Sequence, residues 1–443
     1  MSDSDHLFRH EAGRMVAALT RVFGVHNLAL AEDVVQDAFL RALETWRIHG
    51  MPDNPSAWLM TTAKNRALDV LRRQRTAKTF APEYGRLLES EWTLAPAVEE
   101  VFAADAIQDS QLRMMFSCCH PALSEEARVA LILNILCGFS VAEVAGAFVA
   151  GHSAIEKRIT RAKKVLAGSK RLFDTAVPAD FSARLPAVQC ALYLLFNEGY
   201  HGASPVAAVR RELCHEAMRL TAMLLRHPQG AMPGSYALAA LMAFSAARLP
   251  ARMDAAGNLV SLAEQDRARW DKALIGHGLQ LLERSAAGPE LTEYHVEAAI
   301  ASIHAGAART EDTDWRAIVR LYDTLITLNA SPIVALNRAI AIAQREGPER
   351  GLAAIEAIVD GERLARYPFH AAAIAALKLM RGDVEGAREK FRTALALARN
   401  PMERRFLEQR LMQCDAAQPA SRATYPDAWT TGLTATEEAA EEN

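Results

Sequence analysis

Apolar residues recur along this chain at the three- and four-residue spacing of an amphipathic helix. The helix predicted from Leu30 shows the pattern, because Val35, Ala38, Ala42 and Trp46 all fall on its inner side. Runs of alternating β-branched residues, which would indicate strands, are absent from the sequence. The pattern therefore predicts an all-α fold.

Three stretches interrupt the helical pattern before residue 181. Residues 49–55 are a short polar loop with two prolines, residues 79–105 are acidic and irregular, and residues 174–180 break the pattern again. We expect these stretches to connect the first helical regions.

Three short helices are predicted between residues 124 and 167. Ser124 is suited to begin the first of them, and Gly138 is suited to end it. The segments Ser140–Glu143 and Ser153–Glu156 both have the spacing of a capping box, in which the serine and the glutamate bind free backbone amides. The second and third helices are therefore predicted to begin at these two serines.

The third helix has an apolar side and a basic side. Its apolar side carries Ile155, Ile159, Ala162 and Leu166. Its basic side carries Lys157, Arg158, Arg161 and Lys164. A helix, a tight turn and a second helix with a basic outer face is typical of a helix-turn-helix DNA-binding motif. An ordinary antiparallel helix pair is the alternative.

In a helix-turn-helix, the second helix enters the major groove with its N-terminus first. The residues predicted to reach base edges are Ser153, Glu156, Lys157 and Arg161. The residues predicted to contact phosphates are Arg158, Lys163 and Lys164.

The net charge is only -3 over 443 residues, so it does not indicate a nucleic-acid partner. The local distribution of charge along the chain is more informative. Residues 64–78 hold six bases and one acid, and residues 157–171 hold seven bases and no acid. Residues 79–156, between them, hold three bases and eleven acids. Two basic helices around an acidic linker fit contacts to a phosphate backbone. Two solvated helix faces are the alternative.

Three segments make the expectation of a DNA-binding protein more specific. They are AEDVVQDAFLRA, NPSAWLMTTAKNRALDVLRR and LSEEARVALILNILCGFSVAEVAGAF. They resemble regions 2 and 4 of the extracytoplasmic-function (ECF) class of bacterial sigma-70 factors, in the order and spacing of that family. This resemblance covers the first 170 residues. It implies a factor that recruits core RNA polymerase to promoter DNA and helps to open the promoter.

The resemblance also implies roles for individual residues. The surface that docks on the β′ clamp of RNA polymerase would comprise Asp33, Gln36, Asp37, Phe39 and Arg41. The helix that reads the -10 element would use Trp58, Asn65, Arg66, Asp69, Arg72 and Arg73. A flipped base would be held in a pocket walled by the loop 49–56, and the helix-turn-helix would read the -35 element near the β flap.

More than half of the chain follows these two regions. The segments Leu192–His201, Cys118–Pro121 and Ser331–Ile340 resemble a sigma subgroup with a long tetratricopeptide-like extension. Independently, residues 321–329 align with residues 390–398 at an offset of 69, which is about two helix-pair repeats. The extension is therefore expected to contain helical repeats, to pack against the sigma regions, and to regulate them by binding a protein or a ligand.

The expected organisation has six parts. They are region 2 at 1–78, an acidic linker at 79–107, region 4 at 108–171, a helical extension at 181–310, repeats at 311–414, and a loose acidic tail at 415–443.

Two cysteine-containing motifs contain residue types that can carry chemistry. Cys118-Cys119-His120 lacks a CxxC partner, so a packed helix end is favoured over zinc. Cys214-His215-Glu216 lacks an orienting group, so catalysis is not expected. The cluster 197–201 is equally consistent with structural capping and with a ligand-sensing pocket. No cofactor and no metal are predicted, because no P-loop, dinucleotide fingerprint or HExxH motif occurs.

The expected function is that of a non-enzymatic sigma factor. The polar N-terminus and the absence of a long apolar run predict a cytoplasmic, nucleoid-associated protein without a membrane partner. Two alternatives remain at this point: a one-component helix-turn-helix regulator that senses a ligand through its repeats, and a tetratricopeptide scaffold.

Overall fold

The computed structural model describes residues 3–73, 98–148, 151–169, 172–201, 209–398 and 401–416. These residues form α-helices joined by short 3-10 turns, and their only β-type pairing is a single bridge between Met253 and Leu259. The predicted all-α fold is confirmed. None of the described helices has the length and hydropathy needed to span a membrane.

The chain forms two compact units, an N-terminal unit that extends to Leu195 and a C-terminal unit from Phe196 onward. The helices that begin in the N-terminal unit are α1 Asp3–Phe23, α2 Leu28–His49, α3 Pro55–Arg73, α4 Ala104–Cys118, α5 Glu125–Leu131, α6 Val141–Ala147, α7 His152–Gly168 and α8 Pro178–His201. A single π-helical segment, Ile132–Leu136, continues α5.

The C-terminal unit contains the end of α8 and ten further helices among its described residues. They are α9 Arg211–Arg226, α10 Pro233–Ala247, α11 Lys272–Ser285, α12 Glu293–Gly306, α13 Trp315–Leu328, α14 Pro332–Glu346, α15 Pro348–Glu356, α16 Pro368–Met380, α17 Val384–Leu397 and α18 Pro401–Ala416.

Helix α1 is at the centre of the N-terminal unit. It packs on α2, α3 and α4, and its Met15, Leu19 and Phe23 side chains are fully buried. It also approaches the π-helical segment closely, since a Cβ at Gly13 would lie 2.0 Å from the Leu136 carbonyl oxygen. The predicted regions 2 and 4 therefore share one core around α1.

The first part of α8 also belongs to this core. The Phe116 ring of α4 lies 4.2 Å from the Phe181 ring and 5.0 Å from the Phe173 ring, centroid to centroid. Arg184 donates a hydrogen bond to the Phe116 carbonyl oxygen at 3.3 Å. The two units accordingly divide at Leu195, beyond the 174–180 connector that the sequence indicates.

The internal repeat of the C-terminal unit is also seen in the positions at which its helices begin and end. Helices α13 and α14 recur as α17 and α18 at the same offset of 69, with Pro332 and Pro401 both at the start of the second helix. Asp314 caps α13 and Asp383 caps α17, each through its Oδ1 atom to a backbone amide 2.9 Å away. The last helix is fixed by a bidentate ion pair from Arg410 to Glu264, one arm of which measures 2.7 Å.

Candidate nucleic-acid and polymerase interface

Helix α2 has a buried apolar side and an exposed polar side, as the pattern predicts. Ala31, Val35, Ala38 and Ala42 are buried against the core of the N-terminal unit. The candidate polymerase-binding residues Asp33, Gln36, Asp37 and Arg41 are exposed on its outer surface. That helix therefore offers a polar face to a partner.

Phe39, the fifth candidate on α2, is half-buried because its ring stacks on that of Phe8 at 4.7 Å. Phe8 also lies 5.6 Å from Trp46, and Trp46 lies 5.5 Å from Trp58 in an edge-on arrangement. These aromatic rings join α1, α2 and α3. Phe39 and Trp58 thus help to hold the three helices together, in addition to any contact with a partner.

Two exposed leucines on α2 were missed by the sequence reasoning. Leu40 and Leu43 are 59% and 53% exposed. Leu40 lies one turn beyond Gln36 and two turns beyond Asp33, and Leu43 lies about one turn beyond Leu40. The signal was present in the sequence, because both residues fall outside the inner stripe defined by Ala38 and Ala42. Large apolar side chains in a polar helix face are typical of protein–protein contacts.

Helix α3 presents the candidate -10 residues on one side. Asn65, Asp69 and Arg72 are exposed, and Arg72 lies 3.9 Å from Asp69. Arg66 is half-buried, and its Nε donates a hydrogen bond to Asp37 on α2 at 2.8 Å. The backbone of Arg73 ends the helix, while its side chain lies outside the described residues.

The loop between α2 and α3 has a defined start and end. Gly50 has a φ of 80°, a left-handed conformation that favours glycine, and it ends α2. Asn54 accepts a hydrogen bond from the Ala57 amide at 3.0 Å and so caps α3. The loop therefore positions the N-terminal half of α3 beside α2. The pocket for a flipped base is predicted at this place.

The scaffold of the helix-turn-helix begins as predicted. The Ser124 hydroxyl accepts a hydrogen bond from the Ala127 amide at 3.4 Å. Ser140 and Glu143 form the predicted capping box, with the Ser140 amide donating to the Glu143 carboxylate at 2.9 Å and the Glu143 amide donating to the Ser140 hydroxyl at 3.2 Å. These two caps fix the starts of α5 and α6.

The predicted second capping box does not form. Helix α7 begins at His152, its N-cap is Gly151, and no side chain caps it. Ser153 therefore lies within the first turn, where its backbone is already helical and its side chain cannot act as the N-cap. The N-cap lies two residues earlier than expected, at Gly151 instead of Ser153, and Ser153 is exposed at the N-terminal end of the helix.

The outer face of α7 is solvent-exposed, as the basic pattern indicates. Ile155, Ile159, Ala162 and Leu166 are buried against the scaffold. The exposed candidate residues are Ser153, Glu156, Lys157, Arg161 and Lys164. Arg158 is half-buried on one flank of the helix. Thr160, which the sequence reasoning missed, is exposed and lies on the same side as Lys157 and Lys164 by helical geometry.

Lys163 has a different environment from the other bases of α7. Its Nζ atom donates a hydrogen bond to Glu32 on α2 at 2.6 Å. In this structure the lysine binds the predicted region 2, so a phosphate contact by Lys163 requires that bond to break.

The cysteines fit a structural role. All six are reduced thiols, and Cys118 and Cys119 are fully buried. Burial raises the pKa of the Cys119 thiol to about 12 and that of Cys118 well above its usual value, which keeps both protonated and unreactive. Within the described residues, no group of three or more histidine, cysteine or carboxylate side chains has the arrangement of a metal site.

The cluster 197–201 packs against the N-terminus of α9. The Gly199 carbonyl accepts a hydrogen bond from the Arg210 amide at 2.7 Å, and a Cβ at Gly199 would lie 2.7 Å from the Cys214 nitrogen. Arg252 lies 4.1 Å above the buried Tyr200 ring and donates to the Tyr200 carbonyl oxygen at 3.2 Å. These contacts favour the structural interpretation of the cluster, and the His201 side chain lies outside the described residues.

Cys214 supports the same interpretation. It is buried, its thiol donates to the Phe196 carbonyl oxygen at 3.7 Å, and burial raises its pKa to about 12. A thiol in that state is a poor nucleophile.

Two family models match the chain. Sigma-70 region 2 matches residues 7–77, and Family of unknown function (DUF6596) matches residues 184–286. An uncharacterized protein of Rhizobium meliloti (strain 1021) is 39% identical over 92% of this chain and 95% of its own length. No solved structure matches the chain.

The other similar proteins carry a common description. RNA polymerase sigma factor CarQ of Myxococcus xanthus is 32% identical over 32% of this chain and 73% of its own length. ECF RNA polymerase sigma factor SigK of Mycobacterium sp. (strain KMS) is 28% identical over 36% of this chain and 86% of its own length. The resemblance seen in the sequence is confirmed: the chain belongs to the ECF family of sigma-70 factors, with a long helical extension.

Proposed function

We propose that this protein directs core RNA polymerase to promoters through region 2 and the helix-turn-helix of its N-terminal unit. The role in transcription initiation follows from membership of the sigma family. The structural support is that one unit exposes a basic recognition helix, a second polar helix and a docking face. Sigma factors as a family act by binding, and we propose no catalytic activity for this chain.

The proposed docking face comprises Asp33, Gln36 and Arg41 together with Leu40 and Leu43. Two exposed leucines among polar residues resemble the centre and rim of a protein interface. We assign this face to the β′ clamp. Asp37 borders it and is bound to Arg66, so it contributes to both α2 and α3.

The proposed -10 reader is the outer side of α3, from Asn65 to Arg73. Trp58 supports it from the aromatic cluster, and Arg72 offers an exposed positive charge to the opened strand. The proposed -35 reader is the outer face of α7, with Lys157 and Arg161 as the principal contacts, near the β flap.

The proposed domain organisation follows the two compact units. Region 2, region 4 and residues 172–195 form the reading module, while the repeats lie in the C-terminal unit. We propose that the extension regulates initiation by binding a protein or a ligand, and that the protein acts at the nucleoid in the cytoplasm.

The test is reconstituted transcription. Purified full-length chain and core polymerase are incubated with genomic promoter fragments, and start sites are mapped with and without the chain. We expect specific starts that depend on the chain, together with a stable complex between the chain and core polymerase. DNA binding without any affinity for core polymerase would instead support a one-component regulator, which the region 2 match does not favour.

A further inference from the structure

Three buried side chains of the C-terminal unit have polar atoms without a hydrogen-bond partner among the described residues. These atoms are both ring nitrogens of His304, the indole Nε1 of Trp270 and the hydroxyl of Thr313. All three residues are buried, and His304 is only 2% exposed. A buried polar atom without a partner costs free energy, so native proteins contain few of them. Such atoms are expected where a ligand or an ordered water supplies the hydrogen bond.

Contacts through Arg267 and Trp315 bring these side chains to neighbouring positions. The Arg267 guanidinium lies 4.8 Å from the centroid of the Trp270 ring, and its Nη1 donates to the His304 carbonyl oxygen at 2.6 Å. The His304 ring lies 5.4 Å from the Trp315 ring, centroid to centroid. The Trp315 amide donates to the Thr313 carbonyl oxygen at 2.8 Å. The three side chains therefore surround one place in the C-terminal unit.

Two buried arginines place further positive charge beside this group. Arg248 and Arg252 are 6% and 4% exposed. Their guanidinium groups lie 5.5 Å and 4.1 Å from the centroid of the same Tyr200 ring. The two positive charges are thus within about 10 Å of each other, in an interior that screens them less than water does. An anion near them would offset their repulsion.

His304 is affected by the same positive charge. Burial, followed by the charges of Arg248 and Arg267, lowers the pKa of His304 to about 3. The ring is therefore neutral near pH 7, with one N–H donor and one acceptor nitrogen. Asp312 also lies near Arg267, but its carboxylate is bound by Arg309 through hydrogen bonds of 3.0 and 3.1 Å. A neutral N–H donor among arginines suits an anion better than a cation.

We propose that the C-terminal unit binds a small oxyanion, the phosphate or carboxylate group of a metabolite, among His304, Trp270 and Arg248. The imidazole and indole N–H groups and the Thr313 hydroxyl donate to its oxygens, and the arginines supply the opposite charge. Arg267 is half-buried and marks the side on which the anion enters. The inference deepens the proposed regulation by a ligand: the role of the site rests on that proposal, whereas the binding does not.

Arg267 links the site to the packing of the unit. Its guanidinium donates to the carbonyl oxygens of His304 and Ala307, at 2.6 and 2.8 Å, where α12 ends. It therefore holds the 3-10 turn Arg267–Arg269 against the C-terminus of α12. An anion that binds this guanidinium in the folded state stabilises the junction between the turn and the helix.

Binding is tested on the free full-length chain by isothermal titration calorimetry. Inorganic phosphate is the first probe and acetate the second, with potassium chloride at equal ionic strength as the background. His304→Phe keeps an aromatic ring and removes both ring nitrogens. We expect saturable binding of one or both anions by the unsubstituted chain, and binding weaker by about tenfold or more in His304→Phe.

The two probes distinguish the possible ligands. Binding of phosphate alone identifies a phosphate ligand, and binding of acetate alone identifies a carboxylate. If the unsubstituted chain binds neither anion, ordered water meets the unpartnered atoms and the proposal is overturned. Equal affinity of His304→Phe and the unsubstituted chain would overturn it as well.

His295→Phe is the matched control. His295 is buried on the same helix, but its Nδ1 accepts a hydrogen bond from the Thr292 amide at 3.1 Å and its Nε2 lies 3.2 Å from the Ser285 carbonyl oxygen. This variant should unfold at a lower temperature and bind the anion as the unsubstituted chain does. Equal losses of affinity in His295→Phe and His304→Phe would attribute both to damage of α12 and contradict the proposal.

Trp270→Phe keeps the test decisive if His304→Phe does not fold. It removes only the indole donor, so it should weaken binding severalfold, and unchanged affinity would contradict the site. These titrations use neither polymerase nor DNA, so their failure leaves the proposed role in initiation intact. In reconstituted transcription, the anion should change the output of the unsubstituted chain but not that of His304→Phe. Unchanged output despite binding would contradict the regulatory role of the site.

Discussion

Asp37 and Arg66 bind each other across two helices that the sequence assigned to different partners. The Arg66 Nε and the Asp37 Oδ2 are 2.8 Å apart, and the pair joins the proposed docking helix α2 to the proposed -10 helix α3. A substitution at either residue therefore affects the relative position of both helices as well as its own contact.

This relationship leads to a double-mutant prediction. Asp37→Asn and Arg66→Gln should each lower the free energy of unfolding of the N-terminal unit, and their effects should not add. The expected coupling energy is about 0.2–1 kcal/mol, because both side chains are partly exposed. Chemical denaturation of the two single variants and the double variant measures it. Strict additivity would show that the pair contributes nothing.

The exposed leucines should dominate polymerase binding. Leu40→Ala with Leu43→Ala should weaken affinity for core polymerase by roughly 2–4 kcal/mol if both fill the centre of the interface. Leu279→Ala is the control, because Leu279 is similarly exposed, at 51%, on a helix of the C-terminal unit. Affinity is measured by titrating labelled protein with core polymerase. An equal response of the control and the double variant would exclude this face from docking.

The outer face of α7 should determine binding to the -35 element. Lys157→Ala and Arg161→Ala should either relax sequence specificity at a cost of about 1–3 kcal/mol or weaken all sequences alike and lower the salt slope by about one. Arg320→Ala removes an exposed positive charge from α13 and provides the control. Binding to DNA that contains the -35 element is measured at several salt concentrations. If both variants keep the salt dependence and the sequence specificity of the unsubstituted protein, the assignment is contradicted.

Residues 172–195 should be part of the folded sigma module. Phe181→Ala should lower the stability of the N-terminal unit by about 3–5 kcal/mol, because Phe181 is fully buried against Phe116. For the same reason, truncation after Arg171 should destabilise this unit far more than truncation after Leu195. Thermal unfolding of both fragments decides the matter. The Leu195 truncation, which keeps this packing, should still change promoter output severalfold if the extension regulates initiation.

Glu198 should make the C-terminal unit less stable as the pH rises. Burial raises the pKa of this carboxyl to about 7 from its usual 4.5, so the folded state binds more protons than the unfolded state between these values. Stability should therefore fall from pH 4.5 to pH 7, by on the order of 3 kcal/mol. Glu198→Gln should remove that part of the pH dependence in thermal unfolding. Glu356→Gln, at an exposed position, should leave it unchanged.

Much of the fold could be predicted from the sequence because it depends on neighbours within one helical turn. The Ser140–Glu143 capping box, the aspartate caps of α13 and α17, and the prolines that begin α14 and α18 each involve residues at most three positions apart. Helical periodicity likewise determines which side of α2 and α7 is buried. The predicted second capping box did not form, because the helix extends to His152 with Gly151 as its N-cap and so includes Ser153 in its first turn.

The sequence by itself determined the all-α fold, the order of the two sigma regions, the repeat and the outer face of α7, since periodicity and short-range capping carry this information. Only the tertiary structure decided which of the candidate side chains are free to bind a partner. Lys163 and Glu32 are 131 positions apart, and Arg66 and Asp37 are 29 apart. Contacts over such separations depend on how α1 brings distant helices together, and no local pattern encodes that packing.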